Sequence, residues 1–341
     1  ATYLVFGFSW QGWMVISAVV GFLMLAMFIT FGFAVAQQLN DMKNLALTQQ
    51  IKLTKAYQRF VPPQLLQNLG RTSILDVKLG DQVDVEMSIL FSDIRSFTAI
   101  SEAMSPSENF AFVNAYLSRM GPIIRARRGY IDKFMGDGVM ALFPESANDA
   151  VLAAVEMQKE LHRYNDEQDC AGAPRINVGV GVNTGRMMLG TLGESDRMEG
   201  SVISDAVNLA SRLEGLTKRY GSKVIISEHT YRLLDTAKVD CREIDSVVVK
   251  GKDRPVRIFE VIDGEPPEIA RLKLDSLAQF CEAMSLYKTQ KFAKARDLFK
   301  AILSHGGSDN VAALYVERCE TLLEDGWNPE TWDGVERLET K

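Results

Sequence analysis

The hydrophobic residues of this chain are most concentrated at its beginning, where no Asp, Glu, Lys or Arg occurs before Asp41. The segment from Gly12 to Ala36 is predominantly apolar and is long enough to cross a hydrocarbon core as a helix, which takes about 20 residues. A cleavable signal peptide is the alternative, but no basic segment precedes the run and the run is too long for one. Residues 1–36 are therefore predicted to be a transmembrane segment, and residues 1–9 resemble the end of an earlier span.

A heptad pattern follows the apolar segment. Hydrophobic and small residues recur at alternating spacings of three and four, which predicts a short parallel coiled coil and hence a dimer over residues 37–60. A single amphipathic helix packed on its own domain is the alternative. The prolines after Val61 end the helix, and residues 61–84 are predicted to be a linker. The positions of the pattern are Leu39, Met42, Ala46, Gln49, Leu53, Ala56 and Phe60.

Along residues 85–264, segments with the two-residue hydrophobic period of strands alternate with segments that have the 3.6-residue period of helices. This pattern predicts an α+β domain with helices packed on one face of a sheet. The predicted strands are 85–91, 175–182, 186–192, 223–226, 243–249 and 256–262, with a hairpin at 129–143 and a glycine-rich arm at 193–200. The predicted helices are 96–103, 107–127, 147–165 and 204–220.

Charge and cysteine content narrow the location and the class of partner. The net charge of −6 argues against general nucleic-acid binding, because no basic footprint is present. The lysines after the apolar segment, such as Lys43 and Lys52, place the rest of the chain on the cytoplasmic side of the inner (plasma) membrane by the positive-inside tendency. The four cysteines are widely spaced without a C-x-x-C motif, which indicates neither a zinc site nor a disulfide framework.

Two aspartates each follow a short β-like apolar stretch: Asp93 in FSDIRSFT (91–98) and Asp137 in KFMGDGVMALF (133–143). Carboxylates on adjacent strand ends can hold two Mg²⁺ ions roughly 4 Å apart, which suits phosphoryl displacement on a nucleotide. Either aspartate alone could equally be a helix N-cap or a turn residue. The chain contains no G-x-x-x-x-G-K-[ST] motif, so it is not a P-loop enzyme.

The motifs FSDIRSFT, KFMGDGVMA and VISDAVNLASRLE (202–214), in this order and with these separations, resemble those of the class III nucleotidyl cyclases. The resemblance implies a ferredoxin-like core that works as a head-to-tail homodimer with two active sites at its interface. It also implies that Asp93, Asp137 and the backbone carbonyl of Ile94 bind two Mg²⁺ or Mn²⁺ ions in one protomer.

The remaining site residues are expected from the other protomer. The resemblance implies that Asn208 orients the ribose and that Arg212 neutralises the α-phosphate in the transition state. These two residues are four apart on one predicted helix and therefore share a face. Lys250 matches a lysine that contacts the terminal phosphates, with Lys252 as a close competitor.

The choice of base depends on Lys133 and Ser201, which match the base-reading positions of the family. Lysine can only donate a hydrogen bond, which suits N1 of adenine, whereas a glutamate here would suit guanine. Ser201 stands where the family has Asp or Thr, and its hydroxyl can both donate and accept. Two neighbours also depart from the pattern: Gly200, where an aromatic residue is common, and Ser204, where glycine is usual.

The C-terminal residues 265–341 are predicted to form helices that resemble one tetratricopeptide-like unit, packed on the cyclase domain or on its dimer mate. The whole arrangement resembles bacterial receptor cyclases that carry a sensory domain at the N-terminus. It favours a membrane-anchored adenylate cyclase that converts ATP to cyclic AMP and pyrophosphate. A guanylate cyclase and an inactive nucleotide-binding module are the alternatives. The tetratricopeptide-like positions are Ala283, Tyr287, Phe292, Ala295 and Phe299.

Overall fold

The computed structural model describes residues 10–171, 175–248, 254–304 and 309–337. The chain divides into two compact units, Ala1–Val61 and Pro62–Lys341. The first unit is built around helix α1 (Trp10–Tyr57), whose 48 residues correspond to roughly 70 Å at 1.5 Å per residue. The segment Gly12–Tyr57 is long and apolar enough to cross a membrane.

Helix α1 is unbroken from Trp10 to Tyr57 and so joins the described part of the predicted transmembrane segment to most of the predicted coiled coil. Polar side chains in its apolar part are satisfied locally, since the Ser17 and Thr30 hydroxyls donate to the backbone carbonyls of Met14 and Met27 at 3.1 and 3.0 Å. The heptad side chains are exposed in the single chain. The coiled coil therefore stays a prediction.

In the second unit, the described strands form one sheet. Their order is β2-β3-β1-β4-β6-β8-β7-β9, with β5 paired to β4. All neighbouring pairs are antiparallel except β4 with β6 and β7 with β9. The strands are β1 (Gln82–Ile94), β2 (Tyr130–Met135), β3 (Gly138–Phe143), β4 (Val178–Glu194), β5 (Arg197–Ile203), β6 (Val224–Ser227), β7 (Cys241–Val248), β8 (Val256–Val261) and β9 (Glu336–Arg337).

The helices of this unit cover both faces of the sheet. They are α2 (Pro63–Asn68), α3 (Phe97–Glu102), α4 (Pro106–Ala126), α5 (Ala147–Ala171), α6 (Asp205–Tyr220), α7 (Glu228–Arg232), α8 (Pro267–Asp275), α9 (Leu277–Lys288), α10 (Phe292–Ser304) and α11 (Asn310–Asp325). Helices α4 and α5 pack on the face that includes Ile226, whereas α6 packs on the opposite face with Ile225. The expectation that helices pack on one face is therefore wrong for the unit as a whole.

The first four strands form the arrangement that the resemblance implied. Strands β2-β3-β1-β4 are antiparallel throughout, and helical segments connect β1 to β2 and β3 to β4. This is the β-α-β-β-α-β order of a ferredoxin-like fold. One detail differs from the sequence pattern, because the two strands predicted at 175–182 and 186–192 are a single strand, β4, of 17 residues. The predicted arm contributes residues to β5, which pairs with the second half of β4.

Glycines in β4 bring helix α6 close to the sheet. A Cβ atom at Gly181 would overlap the backbone of Glu214 and lie 2.5 Å from the carbonyl oxygen of Ala210. A Cβ at Gly179 would lie 2.7 Å from a carboxylate oxygen of Glu214. Glycine in a strand often marks such a close approach, and here it fixes the depth of the helix that carries Asn208 and Arg212.

The C-terminal helices pack on the sheet of the same chain. Phe280 contacts Phe299 and Tyr287 contacts Phe292, so α9 and α10 run antiparallel. Their buried side chains form one hydrophobic cluster with α6, β6, β7 and β8. All five tetratricopeptide-like positions named from the sequence are buried. The likeness to a tetratricopeptide unit stays a prediction.

A buried group of charges, here called the tail ion cluster, ties these helices to the sheet. Arg242 of β7 pairs with Glu260 of β8 at 2.7 Å and with Asp309 at 2.6 Å. Lys273 of α8 pairs with Glu260 at 2.7 Å and with Glu265 at 2.9 Å. Asp309 also caps α11 by accepting hydrogen bonds from its first backbone N–H groups. The tail is thus bound to the second unit by polar as well as apolar contacts.

Candidate active site

The structure brings Asp93 and Asp137 together at one end of the sheet. Asp93 is the penultimate residue of β1, and Asp137 lies in the turn between β2 and β3. Gly136 adopts a positive φ of 69° in this turn, and the backbone N–H of Ile94 donates to Asp137 Oδ2 at 3.1 Å. A Cβ at Gly138 would lie 3.2 Å from Asp93 Oδ1. Two carboxylates therefore share this corner, as their positions after apolar strands predicted.

The negative charge of this corner is compensated only in part by the chain, since Arg95 is the cation that acts on Glu214 and Asp93. Burial and the neighbouring Asp137 carboxylate raise the pKa of Asp93 to about 7. Burial also raises the pKa of Glu214 to about 7; the Arg95 charge opposes this rise and the Asp137 charge adds to it. Among the described residues, neither Asp93 nor Asp137 forms an ion pair. Such an arrangement favours a bound cation, because like charges at close range disfavour ionisation of both groups.

The donor set fits a Mg²⁺ or Mn²⁺ ion that shares its coordination with a substrate. Carboxylate and carbonyl oxygens are the ligands that Mg²⁺ prefers, and it is usually held by one or two carboxylates together with water and substrate phosphates. No cluster of three or more His, Cys, Asp or Glu ligands occurs in the described part of the chain. The role of the Ile94 carbonyl stays a prediction.

The two base-reading candidates lie together as well. Lys133 Nζ donates to Ser201 Oγ at 3.0 Å and to Glu199 Oε1 at 3.2 Å, so the contact joins β2 to β5. Asp132 lies at a β-bulge directly before Lys133, and its Oδ2 is 3.6 Å from Lys133 Nζ. Sequence reasoning missed Glu199, although its position two residues before Ser201 on a strand puts both side chains on the same face.

Helix α6 presents three different faces. Leu209, Leu213 and Leu216 are buried in the core shared with the C-terminal helices. Asn208 is exposed and Arg212 is partly exposed, and Arg212 forms no ion pair among the described residues. The expectation that these two residues share one accessible helix face agrees with this geometry.

A third face of α6 faces the aspartate corner. It carries Glu214 and Thr217, whose hydroxyl accepts a hydrogen bond from the Arg95 guanidinium. Arg95 follows β1 directly after Ile94. Since Asn208 and Arg212 are on a different face of the helix, the single chain does not direct them at its own carboxylates.

Two departures from the family pattern have structural explanations. Ser204 caps α6: its hydroxyl accepts from the backbone N–H of Ala206 at 3.0 Å and donates to the carbonyl of Arg186 at 2.6 Å. Gly200 leaves room for Leu65 of α2, because a Cβ at Gly200 would overlap the Leu65 side chain. The predicted linker 61–84 thus contains a helix that packs beside Ser201.

Lys250 and Lys252 lie outside the described residues. The strands on either side of them end at Val248 and begin at Val256. Their assignment to the terminal phosphates stays a prediction.

Large apolar side chains are exposed near the aspartate corner and near the contact of Lys133 with Ser201, on the β2–β3 turn and on the β4–β5 ribbon. Exposed apolar patches of this kind mark interaction surfaces. The residues are Phe134, Met135, Met188, Leu192, Met198 and Ile203.

Comparison with known proteins agrees with these features. The family described as "Adenylate and Guanylate cyclase catalytic domain" matches residues 80–261. An adenylate cyclase of Anabaena cylindrica is 41% identical over 238 residues, 67% of this chain and 47% of that protein. A terminal-differentiation-specific adenylate cyclase of Dictyostelium discoideum is 37% identical over 284 residues, 81% of this chain and 13% of that protein. The chain therefore spans less than half the length of these two relatives.

A solved structure provides a further comparison. The chain is 26% identical to a bacterial light-regulated adenylyl cyclase, with a TM-score of 0.57 over 67% of this chain and 66% of that one.

Proposed function

The chain belongs to the family of adenylate and guanylate cyclase catalytic domains, and from this premise we propose that it converts ATP to 3′,5′-cyclic AMP and pyrophosphate. The observation that carries the proposal is the pair of neighbouring carboxylates, Asp93 and Asp137, at one corner of the sheet. The named adenylate cyclases among its relatives support the same reaction. Lys133 supports ATP over GTP, because an ammonium group can only donate to the base.

Two protomers would complete each site. Asp93 and Asp137 of one protomer would hold the divalent cations, while Asn208 and Arg212 of its partner would contact the ribose and the α-phosphate. The support is that Asn208 and Arg212 are on an accessible helix face that differs from the one near Asp93. The exposed apolar side chains of the β2–β3 turn and the β4–β5 ribbon would be covered in such a dimer.

The reaction forms one phosphorus–oxygen bond and breaks another, and the proton of the ribose 3′-hydroxyl passes to bulk water. The ribose 3′-oxygen attacks the α-phosphorus, and the bond from that phosphorus to the β-phosphate oxygen breaks to release pyrophosphate. Bound divalent cations would supply Lewis-acid chemistry, lowering the pKa of the 3′-hydroxyl and offsetting charge on the leaving group. Asn208 would hold the ribose in line for attack. Arg212 would stabilise the negative charge that develops on the α-phosphoryl oxygens, and such donors contribute about 10²-fold to 10³-fold in rate.

The long apolar helix α1 supports anchoring of the chain in the inner membrane, with its C-terminal unit in the cytoplasm. The heptads at residues 37–60 would bring two chains together as a parallel coiled coil. Fractionation of cells that make the chain, followed by protease treatment of spheroplasts, tests both the anchoring and the orientation.

Product analysis tests the reaction. The chain in detergent or lipid, with Mg²⁺ or Mn²⁺, should form cyclic AMP from ATP and much less cyclic GMP from GTP. Asp93→Asn should remove the activity, whereas Asp84→Asn, a matched change at an exposed carboxylate on the same strand, should keep it. Preference for GTP would favour a guanylate cyclase, since the Ser201 hydroxyl can serve either base. No product from either nucleotide would contradict the proposal.

A further inference from the structure

The contact between β2 and β5 contains a carboxylate that no role yet accounts for. Glu199 Oε1 accepts a hydrogen bond from Lys133 Nζ at 3.2 Å, next to the bond of 3.0 Å between Lys133 Nζ and Ser201 Oγ. Glu199 and Ser201 are two apart on β5, so their side chains leave the strand on the same side. The Glu199 side chain is 60% exposed, and its carboxylate is therefore open to a ligand that reaches Lys133.

The hydrogen-bonding capacity of these groups decides which of them can still donate to a base or accept from it. An ammonium group has three donors, and two of the donors of Lys133 are used by Ser201 and Glu199. Asp132 Oδ2, at 3.6 Å, is beyond hydrogen-bond range of Lys133 Nζ. Lys133 thus keeps one donor for a base without losing either partner. An ionised carboxylate only accepts, whereas the serine hydroxyl both donates and accepts.

We propose that Glu199 is the specificity residue of this site: its carboxylate accepts a hydrogen bond from the 6-amino group of adenine while Lys133 donates to N1. Ser201 is then a positioning residue, whose hydroxyl holds the Lys133 ammonium. This inference rests on the proposed function, because it assigns the base of the same nucleotide. It also explains how a chain with serine at position 201 can select adenine.

The same carboxylate rejects guanine. Guanine presents an acceptor at its 6-position and a donor at N1, so its 6-oxygen would face the Glu199 carboxylate with no proton between them, and its N1–H would face the Lys133 ammonium. Sites built to pair with one polar group discriminate strongly against the analogue that leaves their groups unpaired. The Ser201 hydroxyl supplies no such penalty, because it can donate as well as accept.

A cycle of enzyme variants and substrate analogues tests the assignment. The value of kcat/KM is measured for ATP, for GTP and for purine riboside triphosphate, which lacks the 6-amino group. Wild type, Glu199→Ala and Glu199→Gln are compared in the full-length chain. Glu194→Gln on the same ribbon is the matched control, since Glu194 Oε2 accepts a hydrogen bond from the nearby Asp196 N–H and contacts neither Lys133 nor Ser201 among the described residues.

The inference predicts different losses for the two purine substrates. Glu199→Ala should lower kcat/KM for ATP by about tenfold to a hundredfold, as expected for loss of a charge-assisted hydrogen bond. It should lower kcat/KM for purine riboside triphosphate several-fold less than for ATP, because that substrate has no amino group to donate and loses only the support that Glu199 gives to Lys133. Glu199→Gln should raise the relative use of GTP, since its amide can donate to the 6-oxygen. Glu194→Gln should behave as wild type.

Ser201→Ala separates positioning from recognition. It should lower kcat/KM for ATP and for purine riboside triphosphate by the same factor, because it disturbs Lys133 and not the amino contact. Equal losses for the two substrates in Glu199→Ala, or an unchanged ratio of ATP to GTP use, would overturn the assignment of Glu199. A wild-type chain that forms no cyclic AMP would overturn the proposed function itself, so the two failures are distinguishable.

Discussion

The aspartate corner and the tail ion cluster place carboxylates on the same sheet in opposite electrostatic surroundings. In the tail ion cluster, Glu260 is fully buried; burial alone would raise its pKa, yet the Arg242 and Lys273 charges lower it below its usual range. In the aspartate corner, Asp93 is less buried than Glu260, yet partial burial of its carboxyl group and the neighbouring Asp137 raise its pKa. The chain supplies full counter-charge where carboxylates hold the fold together and less of it at the aspartate corner, where the proposed cations would add the rest.

This contrast separates stability from function. Buried charges in proteins are normally paired, since an unpaired one is costly. The pairing of Glu260 and Asp309 with Arg242 is complete within one chain. In the proposed site the aspartate corner is incomplete in two respects: it would need cations, and it would need Asn208 and Arg212 of the partner. Mutations in the two regions should therefore differ in kind.

The largest effect is expected from breaking the tail ion cluster. Arg242→Ala should lower the free energy of unfolding by about 3–5 kcal/mol, because it leaves Glu260 and Asp309 buried without their shared cation. Urea unfolding of the purified chain measures this loss. Arg257→Ala is the matched control on the neighbouring strand, where the arginine is half exposed and pairs with Glu228. It should cost less than about 1 kcal/mol, and an equal cost for both variants would contradict the comparison.

The opposite behaviour is expected at the aspartate corner. Asp93→Asn should raise the free energy of unfolding of the metal-free chain by on the order of 1 kcal/mol at pH 8, with allowance for the exposure of the side chain. It should also lower cyclase activity by at least about a hundredfold, since a cation ligand is lost. Thermal unfolding and product formation on one preparation check both. A loss of stability together with the loss of activity would show that the corner is structural.

Dependence on pH sharpens the contrast. A carboxyl with a raised folded-state pKa binds more protons in the folded state, so for Asp93 and Glu214 metal-free stability should fall as pH rises from about 4.5 to 7. Glu260, whose pKa is lowered, should act in the other direction and stabilise the fold above about pH 4.5, with that contribution lost as pH falls through its folded-state value.

Metal binding should depend on the same raised pKa values of Asp93 and Glu214 and should strengthen as pH rises. Because cations bind the deprotonated carboxylates, the rise in Tm caused by Mg²⁺ should be larger at about pH 8 than at about pH 6. Melting curves with and without Mg²⁺ measure it, and Asp93→Asn should abolish most of the difference. A rise in Tm that is independent of pH would mean that Mg²⁺ binds elsewhere.

Much of the aspartate corner could be predicted from the sequence, because each aspartate is marked by residues that are its immediate neighbours in the chain. The apolar strands before Asp93 and Asp137 and the glycines around Asp137 are readable in single motifs. The long helix α1 could likewise be predicted from the apolar composition of its segment. The contact of Lys133 with Ser201 could be expected only through the resemblance, since the two residues are far apart in the sequence.

Long-range pairings were the features that sequence patterns did not reveal. Arg242, Lys273 and Asp309 come from three distant segments, and nothing in their neighbours indicates that their charges meet in the core. The single strand β4 was divided into two because a polar and glycine-containing stretch, NTG, interrupts its alternation, yet pairing with β1 continues through it. Glu199 was passed over because surface carboxylates are common and its partner lies on another strand.

The central claim is that each chain holds only half of a catalytic site. A chain with Asp93→Ala mixed with a chain with Arg212→Ala tests it most directly, because one of the two sites in their heterodimer keeps every group. Equal mixing should restore about a quarter of wild-type activity if dimers form at random between the two chains. A mixture of Asp93→Ala with Asp137→Ala is the control and should stay inactive, since both changes affect the same half. Activity that fails to return although heterodimers form would contradict the shared site.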